Sequence, residues 1–120
     1  MNIIIVNKHY KRNLQNKFYV GRGSPLGNKY THLKDIPDTI KVDTVDEAVA
    51  CFEKDLNKAI ADRDQRICPT LNKLYQTALR SPIYLECYCM DEISPSRRDH
   101  NCHAKVIRNV LLKKFEQRGR

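Results

Sequence analysis

Three cysteines and a histidine in the C-terminal third of the chain can hold a metal ion or act as nucleophiles. Cys87 and Cys89 are two residues apart in an alternating apolar segment, and a strand there puts both side chains on one face. Cys102 and His103 follow at the predicted start of the last helix. In the first turn of a helix, the dipole and the free amides stabilise a thiolate. The sequence therefore predicts a chemically active cluster at this point of the fold.

Three interpretations of this cluster stay open. The first is a tetrahedral zinc site formed by Cys87, Cys89, Cys102 and His103, although adjacent side chains on a helix diverge by about 100°. The second is a metal-free site in which Cys102 or His103 contacts a ligand or serves as nucleophile or base. In the third, Cys87 and Cys89 are small packed side chains of the core.

A second candidate site is the glycine-rich segment 21–28, which follows a predicted strand and reads Gly-Arg-Gly-Ser-Pro-Leu-Gly-Asn. Glycines let backbone amides approach a ligand closely, and successive amides can form a nest that binds an anion. The segment lacks the Gly-Lys-Ser/Thr of a Walker loop, and no helix pattern opens directly after it. The alternative is a tight turn that needs its glycines for geometry alone. The candidate ligand-binding residues are Gly21, Arg22, Gly23, Ser24, Gly27 and Asn28.

Hydrophobic periodicity predicts the elements that position these residues. Thr44 and Glu47 form a capping box at the start of the clearest helix. The predicted elements are strands over 2–6, 17–20 and 83–89, and helices over 45–62, from Pro69 to about residue 80, and over 102–118.

This element order predicts one α/β domain over residues 1–120, with about three or four strands packed against about three helices. The arrangement is either two-layered or Rossmann-like with three layers. If the strands that precede the two candidate sites are parallel neighbours, both sites lie at the same edge of the sheet.

The composition limits the classes of protein to which this chain can belong. A chain of 120 residues that is 41% hydrophobic and 30% charged has room for one globular domain. It contains no apolar run of about 18 residues, which argues against a membrane protein, and its five cysteines without a secretory signal favour a reduced, cytoplasmic protein.

The net charge of +8 is unevenly distributed along the chain. Residues 1–34 hold seven bases and no acid, residues 35–65 nine acids and four bases, and residues 66–120 eleven bases and five acids. This layout is compatible with a face that attracts phosphate, in a small ligand or in nucleic acid.

The order of these motifs resembles that of a small family found in bacteriophage and bacterial proteins, the domain of unknown function numbered four-three-two-six. The resemblance rests on the segment 19–28, on Cys87-Tyr88-Cys89 and on Cys102-His103. It covers about residues 18–112 and implies a phage-encoded protein that acts in a bacterial cytoplasm, but no reaction.

The chain departs from that family pattern at two positions, with Lys29 where the family usually has proline and Ala104 where it usually has glycine. The loop between Cys89 and Cys102 is also longer than in the family pattern.

The sequence favours a pocket for a phosphorylated, nucleotide-like small molecule between the glycine-rich segment and the Cys-His helix start. One alternative is a non-enzymatic protein that binds a host protein or nucleic acid through basic surfaces. The other is a zinc-stabilised module without pocket chemistry.

Overall fold

The computed structural model describes residues 1–7, 15–21, 24–31, 39–87, 93–94 and 103–118 of the chain. Within these ranges the chain forms six strands and three helices. They are β1 (Ile3–Asn7), β2 (Lys17–Tyr19), β3 (Tyr30–Thr31), β4 (Ile40–Lys41), α1 (Val45–Ala61), α2 (Ile67–Ala78), β5 (Ile83–Cys87), β6 (Ile93–Ser94) and α3 (His103–Arg118).

The main sheet has the strand order β2-β5-β1-β6. Strand β5 pairs in parallel with both β1 and β2, and β6 runs antiparallel to β1. The Val20 N–H donates to the Glu86 carbonyl at 2.9 Å and extends the β2–β5 ladder by one residue. The strands that precede the two candidate sites are therefore parallel neighbours, and their carboxyl ends lie at one edge of the sheet.

The helices cover one face of this sheet. Alternate side chains of the two central strands join the same hydrophobic cluster as the buried residues of the helices. The strand residues in that cluster are Ile3, Ile5, Ile83, Leu85 and Cys87. All three helices contact one another, which places them on the same side. The predicted α/β fold, with about three or four strands packed against about three helices, is confirmed. Of the two predicted layer arrangements, the described residues form the two-layered one and not the Rossmann-like one with three layers.

Helix α1 begins where the capping box predicts. The Glu47 N–H donates to the Thr44 hydroxyl at 3.0 Å, which supplies a partner for one amide of the first turn. The apolar stripe of the helix is buried and consists of Ala48, Val49, Phe52 and Leu56.

Helix α2 begins two residues before the predicted start at Pro69. The Asp64 carboxylate accepts the N–H groups of Arg66 and Ile67 at 2.8 and 2.9 Å, and these bonds cap the first turn. The aspartate precedes the apolar stripe by several residues, and for that reason the sequence pattern alone did not reveal the cap.

Strands β3, β4 and β6 were not predicted. Each has two residues, too few for an alternating pattern. Strands β3 and β4 form a separate parallel pair, in which Ile40 N–H donates to the Lys29 carbonyl and Val42 N–H to the Thr31 carbonyl.

Candidate functional site

The glycine-rich segment forms two consecutive turns at the carboxyl end of β2. The Ser24 N–H donates to the Gly21 carbonyl at 3.1 Å, and the Gly27 N–H donates to the Ser24 carbonyl at 3.0 Å. The Ser24 hydroxyl also donates to the Gly21 carbonyl, at 2.6 Å. Ser24 therefore shapes the first turn through both its amide and its side chain.

Both ends of this segment are held in place by buried residues. Val20 and Leu26 are each 1% exposed and belong to the core cluster. The buried Asn28 donates from Nδ2 to the Ala48 carbonyl of α1 at 3.1 Å and accepts the Tyr30 N–H on Oδ1 at 2.9 Å. Asn28 thus ties the end of the segment to the first turns of α1.

Gly21 lies directly beneath an aromatic ring. A Cβ atom at this position would lie 2.5 Å from Cε1 and the hydroxyl oxygen of Tyr19. No real Cβ makes contacts this close, so the ring in its present position requires a residue without a side chain. A side chain at residue 21 therefore requires the half-buried Tyr19 ring to move.

His103 joins the second candidate site to the first. It is the first residue of α3, and its ring is buried. Nε2 lies 2.6 Å from the Val20 carbonyl oxygen and donates to it, because a carbonyl can only accept. The ring also meets Phe52 of α1 edge-on, with centroids 5.1 Å apart and planes at 81°. The start of α3 is therefore fixed against the residue that precedes Gly21.

An ion pair and a hydrogen bond lie just beyond the segment. The Tyr30 hydroxyl donates to the Asp55 carboxylate at 2.7 Å, and Lys29 Nζ lies 3.5 Å from the same oxygen. The hydrogen bond to Asp55, together with burial and the negative charge, raises the pKa of Tyr30 to about 12. These contacts fasten β3 to α1, and the Lys29 ammonium faces Asp55.

The structure places only some of the predicted site residues. Gly21, Ser24, Gly27, Asn28, Cys87 and His103 are described, whereas Arg22, Gly23, Cys89 and Cys102 lie outside the described residues. The structure brings His103 and the start of the glycine-rich segment together through the Val20 carbonyl. The metal, ligand and catalytic roles assigned to these residues stay predictions.

Cys87 is fully buried in the hydrophobic cluster, and its thiol forms no disulfide. Within the described ranges, no group of three or more His, Cys, Asp or Glu residues is arranged to hold a metal ion. Of the four predicted zinc ligands, this finding covers Cys87 and His103 only. The described thiols Cys51 and Cys68 are half-buried and form no disulfide.

Sequence reasoning missed three contributors to the site. The Val20 carbonyl gives no sequence signal, because any residue carries one. Phe52 is predictable as a core residue of α1 but not as a partner of His103. Tyr19 lies on the strand before Gly21, and its ring packs against that glycine. In the sequence, the contact is indicated only by an aromatic residue two positions before a glycine.

Comparison with known proteins agrees with the motif order. A family model described as a domain of unknown function, DUF4326, matches residues 5–113, most of the chain. No curated protein and no solved structure gives a significant match. Among the described residues, no helix combines the length and apolar character that crossing a membrane requires.

Proposed function

Since this chain belongs to the DUF4326 family, whose description assigns no activity, we propose its function from the geometry of the site. The protein binds a phosphorylated, nucleotide-like small molecule at the carboxyl edge of the sheet. The ligand lies between the glycine-rich segment 21–28 and the start of α3. From the family resemblance, the proposal also includes that the protein is encoded by a phage and acts in a bacterial cytoplasm.

The 2.6 Å contact between His103 Nε2 and the Val20 carbonyl carries the proposal. It holds the start of a helix next to the start of a glycine-rich turn. The first four N–H groups of any α-helix have no partner within that helix, and they attract anions. Two sources of backbone amides next to each other, at the carboxyl ends of parallel strands, are typical of phosphate sites in α/β proteins.

The side chains of the site divide into two roles. In the proposal, Arg22 supplies the charge that neutralises the phosphate, and the amides of Gly21 and Gly23 supply hydrogen bonds, while the Ser24 amide closes the turn. Asn28 and His103 are positioning residues, because their polar atoms bond to the backbone of neighbouring elements. The Ser24 hydroxyl supports the turn and keeps the amides in place.

Chemistry at the bound ligand is a separate part of the proposal. Cys102, which precedes α3 in the sequence, is the candidate nucleophile, and a thiolate next to a helix N-terminus would be stabilised by the helix dipole. His103 orients the segment that carries Cys102. Zinc held by Cys87, Cys89, Cys102 and His103 is the alternative use of the same residues.

Thermal denaturation with pyrophosphate, nucleoside monophosphates and nucleoside triphosphates tests the proposal. A ligand present at about 100 times its Kd stabilises the folded state by about 2.7 kcal/mol, and the matching rise in Tm is readily measured. We expect Arg22→Ala to abolish the rise, whereas Lys17→Ala, which removes an exposed base from β2, preserves it. An unchanged Tm with the entire panel would refute the proposal.

Two variants of His103 separate positioning from catalysis. Glutamine can still donate to the Val20 carbonyl, whereas leucine cannot. We expect His103→Gln to retain most of the ligand affinity and His103→Leu to lose at least tenfold. Equal affinities for the two variants would contradict the positioning role.

A further inference from the structure

Three bases form a stripe along the solvent side of α2 that has no part in the proposed pocket. Arg66, Lys73 and Arg80 are seven residues apart and exposed. Seven residues are close to two helical turns, so the three side chains share one face at intervals of about 10.5 Å. Arg66 has an αR backbone at the N-cap, and the Arg80 N–H donates to the Thr77 carbonyl, so both flanking residues follow the helical path.

The opposite face of α2 is the apolar one. Its buried residues are Leu71, Leu74, Tyr75 and Ala78. Because this face packs into the core, the basic face must point to solvent. Between the bases lie Thr70 and Thr77, whose hydroxyls donate to the carbonyls of Arg66 and Lys73, both at 2.8 Å.

Acidic residues lie outside the stretch of sequence that carries the stripe. Residues 65–85 contain no Asp or Glu. Asp64 flanks one end, where its negative charge interacts with Arg66 and its carboxylate accepts the N–H groups of Arg66 and Ile67. Lys29 and Lys58 form side-chain ion pairs with Asp55 and Asp62, away from the stripe.

We propose that this stripe, Arg66, Lys73 and Arg80, binds the phosphate backbone of a nucleic acid independently of base sequence. Regularly spaced positive charges complement a polymer of regularly spaced phosphates better than a single small anion. A bilayer surface is a poorer partner, because the apolar side of α2 is buried and cannot enter lipid. A protein interface of high affinity would require an aromatic or apolar anchor at its centre, and neither the three bases nor Thr70 and Thr77 between them supply one.

Fluorescence anisotropy with a labelled DNA duplex and the matching single strand, over a series of salt concentrations, tests this proposal. The test variant is Arg66→Gln/Lys73→Gln/Arg80→Gln. The matched control, Lys17→Gln/Lys41→Gln/Lys54→Gln, removes the same charge from exposed positions outside the stripe. Circular dichroism checks that both variants are folded.

Three lost phosphate contacts reduce the slope of log K against log salt by about 2.7 for a duplex and about 2.1 for a single strand. We expect the stripe variant to lose this slope and at least tenfold in affinity at low salt, while the control keeps most of both. Equal losses in the two variants would overturn the proposal, since overall charge would then explain binding. The proposal would also be overturned if wild-type protein bound neither DNA at low salt. The same holds if polyglutamate displaced the protein from the labelled DNA as effectively as unlabelled DNA does.

Discussion

His103 illustrates at the scale of single residues how a side chain with catalytic chemistry can be used for architecture. Its Nε2 bonds to a carbonyl 83 residues earlier in the chain, and its ring packs on Phe52. Because Nε2 of His103 donates its proton to the buried Val20 carbonyl, the imidazole holds the start of α3 against the end of β2.

Gly21 yields a prediction at the same scale. Gly21→Ala should lower the free energy of unfolding by about 1–3 kcal/mol, because the new Cβ overlaps the Tyr19 ring. In a Tyr19→Ala background the overlap is gone and the same substitution should cost much less. Urea unfolding of the wild type, the two single variants and the double variant measures the coupling energy between residues 19 and 21. Equal costs in the two backgrounds would show that the ring is not what demands a glycine.

Tyr30 should ionise at a higher pH than an ordinary tyrosine. Its pKa of about 12 lies above the ordinary 10.0, mainly because it donates to Asp55. The folded state holds the phenolic proton more tightly than the unfolded state. The stabilisation is therefore complete below pH 10 and is lost as the pH rises toward 12.

Ultraviolet titration of tyrosinate absorbance, with Tyr30→Phe to identify the signal, tests this assignment. Asp55→Ala should bring the pKa of Tyr30 down toward 10.0, because it removes both the acceptor and the negative charge. Lys29→Ala keeps the hydrogen bond and should leave the pKa high. An unchanged pKa in Asp55→Ala would mean that another group holds the proton.

At the scale of elements, the caps decide where the helices begin. Thr44 caps α1 as its sequence pattern predicts, whereas α2 depends on Asp64, which precedes the helix by three residues. Hydrogen bonds from the N–H groups of Ile67 and Arg66 lower the pKa of Asp64 below its ordinary 3.8. This stabilisation is present above pH 3.8 and is lost as the pH falls through the lowered pKa.

Asp64→Ala should accordingly lower Tm at neutral pH, and the difference from wild type should disappear in acid. Asp64→Asn retains an acceptor oxygen and should stay closer to wild type. The control is Asp62→Ala, which breaks only the exposed pair with Lys58 and should change Tm little. Thermal melts over a pH series give all three comparisons. A difference that persists in acid would exclude the carboxylate as the cap.

At the scale of the whole molecule, the fold separates charge as well as polarity. The acidic part of the sequence lies largely on and around α1, where Asp55 and Asp62 pair with neighbouring lysines. The stripe on α2 carries bases without acids. The glycine-rich turn and the start of α3 lie at the carboxyl edge of the sheet. The two proposals use different residues, so each can fail without the other.

The sequence by itself determined the helices, the three longer strands and the α/β class, because these depend on local periodicity and capping. Helix α1 is predicted over 45–62 and observed over Val45–Ala61, so the prediction is correct to within one residue. The two-residue strands escaped prediction, since two residues define no period.

Only the tertiary structure decided which strands are neighbours and which polar atoms meet. The parallel pairing of β2 with β5 and the bond from His103 to Val20 join segments that are far apart in the chain. Their geometry depends on how the sheet and the helices pack around a common core. Local sequence patterns carry no information on strand order, and a backbone carbonyl looks the same at every position.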